Sequence, residues 1–233
     1  MQCLTGPQPP RPAIPRKEPP MESPILPKPL RQGLSKAQLT KETLLKNAKK
    51  EFLSHGFQGA SLRRICASAG VTTGAVYFFF QNKEDLFSQI VAPTASGLAA
   101  LGRELTETEY ASPDLGPACD LRLMEFLYCH REEALLLLEH SAHTRYETFP
   151  GELYAQMRQT FLLFFKRYGR EDADPELIRI LVEMRMKGFL EILKGDYTME
   201  QALTLTRQTG IYADGGFRQL AATMKTEQPM DKN

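Results

Sequence analysis

Between residues 40 and 90 the apolar positions fall into short helical patterns separated by turn residues, with no slack between them. From about Thr40 to His55, Leu44, Leu45, Ala48, Phe52 and Leu53 form one stripe, with Lys41, Lys46, Lys49 and Lys50 largely outside it. Ser61 stands where an N-cap belongs for a second helix that stops at Gly70, and Leu62, Ile65, Cys66 and Ala69 share its buried face. Gly70 supplies the bend, because a tight helix-to-helix turn often requires a positive φ, and Val71 plugs the corner. A third helix starts near Thr72. Val76, Phe79 and Phe80 give it an apolar side, which leaves Thr72, Thr73, Gly74, Ala75 and Phe78 for its start and outer face. Asn82 caps the next helix, with Asp85 at the position of a capping-box carboxylate. Two short helices meeting at a glycine turn, with a capped helix behind them, are the grammar of a helix-turn-helix.

Beyond Lys83 the helical pattern runs past Ile90 to Pro93, whose ring removes a backbone hydrogen bond and clashes backward. The helix therefore kinks there, or ends and is followed by a new one from Thr94 to Leu105. The body to about residue 222 reads as helical throughout. Pro113, Gly116-Pro117, Phe149-Pro150-Gly151, Gly169 to Pro175 and Gly195-Asp196 punctuate it, leaving segments near 118–130, 131–147, 151–168, 176–194 and 198–222. In the third of these, Leu153, Met157, Phe161, Phe164 and Tyr168 recur on one face. The segment from Glu176 to Lys194 is apolar around most of its circumference, so it needs either a second burying surface or a central place in its own core. No run alternates with a period of two. The expected fold is all-α, with a three-helix helix-turn-helix domain over residues 36–90 and a helical domain over residues 91–225.

Composition adds the two ends. Residues 1–35 hold 10 of the 16 prolines, a spacing that forbids helix and central strand, so a disordered or polyproline-like tail is expected there and a second short tail over residues 226–233. Such a leader has two readings: an unstructured extension, or a basic arm trailing along phosphates. No run of 18 apolar residues is present, and the proline-broken N-terminus lacks the apolar stretch of a secretory signal; a cytoplasmic location without membrane insertion is expected. The net charge of +1 conceals an asymmetry, because residues 1–90 carry 13 Lys and Arg against 6 Asp and Glu, and the remainder 16 against 22. A basic head on an acidic body suits a polyanion binder with a separate second function.

The residues of the helix-turn-helix resemble the DNA-binding domain of the TetR family of transcriptional regulators. The family's pattern is met by Gly70, Val71, Thr72, Gly74, Tyr77, Phe80, Lys83 and Leu86, and upstream by Ala48, Phe52 and Gly56-Phe57. Cys66 stands where the family commonly has Ala, and Arg64 where it commonly has Asp. The motifs cover residues 41–90; further on, only helical character and length agree. The resemblance implies a homodimer made by the last two long helices, residues 176–222, with Gly188 and Ala202 allowing close approach. It also implies a small-molecule effector cavity in the body and a double-stranded, near-palindromic DNA operator, most simply under repression. On that reading Thr72, Thr73, Tyr77, Lys83 and Arg63 hold phosphates, while Gly74, Ala75 and Phe78 lie nearest the bases.

The aromatic surplus of the body suits a cavity, and Phe126, Tyr146, Tyr154, Met157, Phe161 and Phe164 are the candidate lining residues; the bland reading of the same side chains is plain core. Two alternatives from other classes stay open. One is a metal- or thiol-responsive sensor. His140, His143 and Glu147 share one face of a helix at intervals of 3 and 4, with His130 upstream, and Cys119 and Cys129 are its thiols. The other is an all-α module that does not bind DNA. No resident metal or cofactor is expected, and no phosphate loop, nucleophile elbow or HExxH motif points to an enzyme.

Overall fold

The computed structural model describes residues 35–112, 115–168 and 173–226. The expectations for the proline-rich leader and for the C-terminal tail beyond Thr226 lie outside them. The residues from Lys36 onward form one compact unit, and the described ones contain helices and no strand. In chain order the helices are α1 (Lys36–Gly59), α2 (Leu62–Ala69), α3 (Thr73–Phe79), α4 (Lys83–Ala111), α5 (Gly116–Cys129), α6 (Arg131–Glu139), α7 (Phe149–Arg167), α8 (Pro175–Lys194) and α9 (Met199–Thr226). No helix among the described residues is long and apolar enough to cross a membrane.

The head is built as its sequence pattern dictates. Leu44, Ala48 and Phe52 of α1, Ile65 and Cys66 of α2, Val76 and Phe80 of the α3 region, and Leu86 and Phe87 of α4 are buried together. Phe52, Phe57 and Phe87 meet edge to face or stacked, with centroids 5.1 to 6.0 Å apart. Gly70 takes the left-handed conformation (φ +67°), and its amide caps the end of α2 by donating to the Ala67 carbonyl. Gly56 (φ +66°) breaks the α1 backbone so that Phe57 turns into this core, placing a non-helical residue just beyond the expected end at His55. Asn82 Oδ1 accepts from the Asp85 amide at 2.8 Å, and the Asp85 carboxylate in turn accepts from the Gln81 amide, one residue before the cap.

Pro93 neither ends α4 nor starts a second helix. It is exposed, and α4 continues unbroken to Ala111. Buried residues before the proline (Leu86, Phe87, Val91) and after it (Ala95, Leu98, Leu105) hold both halves, which outweighs the one hydrogen bond the ring forfeits. The 131–147 segment is shorter than expected: α6 stops at Glu139 and residues 140–148 form turns, with His143 at φ +63°.

Around α4 pack α1, α5, α6 and α7, while α5 lies against α9, and α7 and α9 flank α8. Head and body share one apolar cluster, from Leu44 and Phe87 to Leu136, Leu137 and Leu193. Polar ties reinforce it: Lys49 of α1 sits between Glu132 and Glu133 of α6 at 2.6 and 2.8 Å, and the Arg145 amide donates to Glu84 of α4.

Candidate nucleic-acid interface and internal cavity

The outer face of α3 is bare. Thr72, Thr73, Gly74, Tyr77 and Phe78 are exposed and Ala75 is half-buried, while Val76 and Phe80 seat the helix on the head. Phe78 is 77% exposed and Tyr77 58%, although burial of such rings is worth on the order of 2 kcal/mol. Phe78 meets Phe79 edge-on at 4.9 Å and otherwise points outward. Arg63, exposed on α2, makes no hydrogen bond or ion pair among the described residues; its neighbour Arg64 is instead tied to Glu51 and to the Gly59 carbonyl.

Lys83 stands apart from the other candidates. Its Nζ donates to the carbonyls of Ala60 (3.1 Å) and Gln58 (3.3 Å) and lies 4.6 Å from the centre of the Phe57 ring. Burial pushes its pKa below the ordinary lysine value. Two of its three donors therefore hold the α1–α2 corner, leaving one for a phosphate. That cost to the phosphate reading was invisible in the chain, because the two carbonyls lie more than twenty residues upstream.

The body holds a cavity of about 230 Å³ lined by α4, α5, α6, α7, α8 and α9. Four of the six lining candidates face it: Tyr154, Met157, Phe161 and Phe164. The other two do not. Phe126 is half-buried against Gly97 and its ring stacks near His130 at 4.7 Å, while Tyr146 packs 6.4 Å from Phe87 at the junction with the head. Residue type alone points to both, but the helix face each occupies depends on neighbours that sequence spacing does not reveal.

What residue type also missed is a group of charges in the cavity wall: Glu109 of α4, Asp120 of α5 and Arg185 of α8. Arg185 and Asp120 are hydrogen-bonded ion-pair partners, both largely buried. Gly210 of α9 makes this possible, since a Cβ there would stand 3.0 Å from the Asp120 carboxylate. Burial pushes Asp120 up and Arg185 pulls it back, the net direction being upward. Glu109 has no hydrogen bond or ion pair among the described residues, and burial, aided by the Asp120 charge, raises its pKa to about 7.

The sensor alternatives find no support in the geometry. With α6 ending at Glu139, His140, His143 and Glu147 do not share a helix face, and among the described residues no group of three or more His, Cys, Asp and Glu is placed to hold a metal. Cys119 and Cys129 lie ten positions apart on α5, roughly 15 Å along its axis, beyond the reach of a disulfide. Burial, with Glu109 nearby, pushes the Cys119 thiol up to about 11, the opposite of a reactive thiolate.

Residues 44–90 match the sequence pattern of the bacterial regulatory proteins of the tetR family. Over 74 residues the chain is 38% identical to the HTH-type transcriptional regulator AcrR of Shigella flexneri, and over 62 residues 39% identical to the HTH-type transcriptional repressor BepR of Brucella suis. The head of the chain is thus similar in sequence to TetR-family regulators. These matches cover 32% and 27% of the chain, and the chain spans about a third of the length of the two curated relatives (34% and 30%). The TetR fold extends further. A TetR-like regulator from a Rhodococcus species aligns with a TM-score of 0.52 at 16% identity, covering 78% of this chain and 99% of that one. PfmR of Thermus thermophilus, a TetR family regulator, gives 0.52 at 16% identity over 73% and 96%. The helical body thus resembles that of these two structures in fold, while the sequence likeness is confined to the head.

Proposed function

We propose that the protein is a homodimeric, ligand-responsive repressor of transcription that acts in the cytoplasm on a near-palindromic operator. The observation that carries this reading is the bare α3 face, where Tyr77 and Phe78 stand in solvent within a head that matches TetR regulators. On this reading α3 enters the major groove, Gly74, Ala75 and Phe78 meet base edges and thymine methyls, and Thr72, Thr73, Tyr77, Arg63 and the remaining donor of Lys83 hold phosphates.

The dimer reading is supported by α8 and α9. Their outer faces leave Ile180, Met184, Ile211 and Tyr212 exposed, and Gly188, Gly215 and Gly216 leave open space where side chains would stand. Ala202 drops out of this face, being fully buried near Met124 and Ile192 in its own core. A second copy of the chain on α8 and α9 would bring two α3 helices to successive major grooves.

Helix α4 supplies the link between ligand and DNA. Its first turns lie in the head core through Leu86 and Phe87, and its later turns line the cavity through Leu98, Leu105 and Glu109, about 40 Å of continuous helix in all. An effector that shifts α4 re-spaces the α3 pair, a coupling of about 1–3 kcal/mol.

Binding of the full chain to operator DNA selected from random sequence tests the reading. The logarithm of the association constant should fall steeply and linearly with that of the salt concentration, and a flat dependence would exclude the DNA reading.

A further inference from the structure

The outer face of α3 is distinguished by what it lacks. From Thr72 to Phe79 there is no Arg, Lys, Asn, Gln, Asp or Glu, the side chains whose fixed donors or acceptors tell one base edge from another in the major groove. The hydroxyls of Thr72, Thr73 and Tyr77 both donate and accept, so they discriminate weakly between edges. Arg63 does not supply the missing reader, because it stands on α2, the helix that crosses the phosphate backbone in this motif. What remains on α3 is apolar. Phe78 is 77% exposed, and its ring is held edge-on by Phe79, which in turn tilts against the buried Phe80 at 6.2 Å. A large apolar side chain is thus fixed in solvent at a position where the head gains nothing from it. Gly74 adds a second observation. A Cβ there would stand an ordinary 3.9 Å from Thr72 Oγ1, so no packing among the described residues calls for glycine, although glycine weakens a helix relative to alanine. Bare backbone beside an outward ring suits the close approach of another surface.

In the major groove the apolar group that carries sequence information is the C5 methyl of thymine. Cytosine lacks this methyl and 5-methylcytosine has it, so the methyl is a label separable from the base pair that bears it. We propose that α3 reads its operator through pyrimidine C5 methyls and not through the hydrogen-bonding edges of the base pairs. Phe78 is the specificity-determining side chain, and Gly74 lets the methyl-bearing edge approach the helix backbone. This rests on the DNA-binding reading above and names the feature of the DNA that is recognised. At the positions Phe78 meets, 5-methylcytosine is then equivalent to thymine, so cytosine methylation turns a weak site into an operator. Contacts to phosphate add affinity without sequence and are the same for every base.

Titration of the full chain with the duplex it selects from random sequence tests the proposal, each half-site thymine being replaced in turn by uracil, by cytosine paired with guanine, and by 5-methylcytosine paired with guanine. At the positions read by Phe78, thymine and 5-methylcytosine should bind within about twofold of one another. Uracil and cytosine should each bind roughly fourfold more weakly per methyl removed, or about fifteenfold when both half-sites are changed, from the worth of one buried methyl. Phe78→Ala should bring all four bases within about twofold at those positions and keep the salt dependence of the unsubstituted protein. The base replacements need no variant, so they stand even where Phe78→Ala folds poorly. A selected half-site without thymine, uracil equal to thymine at every position, 5-methylcytosine as weak as cytosine, or a methyl preference untouched by Phe78→Ala overturns the proposal. Each of these leaves the DNA reading intact, because the duplex is still bound. Failure to select or bind any duplex overturns the DNA reading together with the proposal.

Discussion

Glu109 and Lys83 show how one residue's burial sets its chemistry. With its pKa raised to about 7 by burial, Glu109 binds a proton in the folded state at pH values where the unfolded chain, near 4.5, has lost it. Stability from this group is therefore greatest below pH 4.5 and falls as the pH rises toward 7. Glu109→Gln should accordingly stabilise the ligand-free protein above pH 7, by on the order of 2 kcal/mol, and leave it little changed at pH 4.5. Urea denaturation at the two pH values measures this, and a Gln variant no more stable at pH 8 would refute the burial argument. Lys83 is the converse case, a charge spent on structure. Lys83→Met should cost about 1 kcal/mol of stability through the Gln58 and Ala60 carbonyls, and thermal unfolding checks it. A phosphate contact would appear separately, as a salt slope smaller by about 1 in DNA binding.

At the scale of the element, α3 is seven residues long, too short to persist without the head beneath it. Its inward residues, Val76 and Phe80, belong to the core, whereas Phe78 contributes almost nothing to it. Phe78→Ala should thus leave the unfolding free energy within about 0.5 kcal/mol while altering the preferred operator sequence. Selection from random DNA with both proteins checks this, and identical selected sequences would remove Phe78 from base reading. The exposed faces of α8 and α9 carry the corresponding test for association. Met184→Glu and Tyr212→Glu lie on surface already in solvent, so neither should disturb the fold of one chain, yet together they should shift the dimer to monomer in analytical ultracentrifugation. A dimer that survives both places the interface elsewhere.

For the whole molecule, the decisive feature is that head and body are not separately packed. One apolar cluster runs from Leu44 through Phe87 to Leu136 and Leu193, and the Lys49 bridge to Glu132 and Glu133 crosses the same junction. Scanning calorimetry of the full chain should show one cooperative transition across residues 36–226, with calorimetric and van't Hoff enthalpies agreeing at fixed protein concentration. Two resolved transitions would mean that the head unfolds alone and that α4 transmits less than its continuity implies. The proposed coupling requires a rigid junction, because a displacement at the cavity end of α4 would otherwise be absorbed before it reached α3.

The head was legible in the chain because its determinants are local. Ser61, Gly70, Asn82 and the apolar spacings between them act within one or two helical turns, so sequence alone defined α2, α3 and the start of α4, and with them the face of α3 left exposed. The all-α class was legible for the same reason, since a helical period needs only near neighbours. Tertiary structure decided what depended on partners far along the chain. Lys83 found carbonyls of residues 58 and 60, Pro93 was carried inside α4 by packing on both sides, and α6 ended before its histidines could align. The cavity is the extreme case. Glu109, Asp120 and Arg185 come from three helices, and their charges acquire meaning only when folding removes the water between them. Sequence set how the head presents α3; packing of distant helices decided what the body encloses, because burial and charge pairing are properties of neighbours in space.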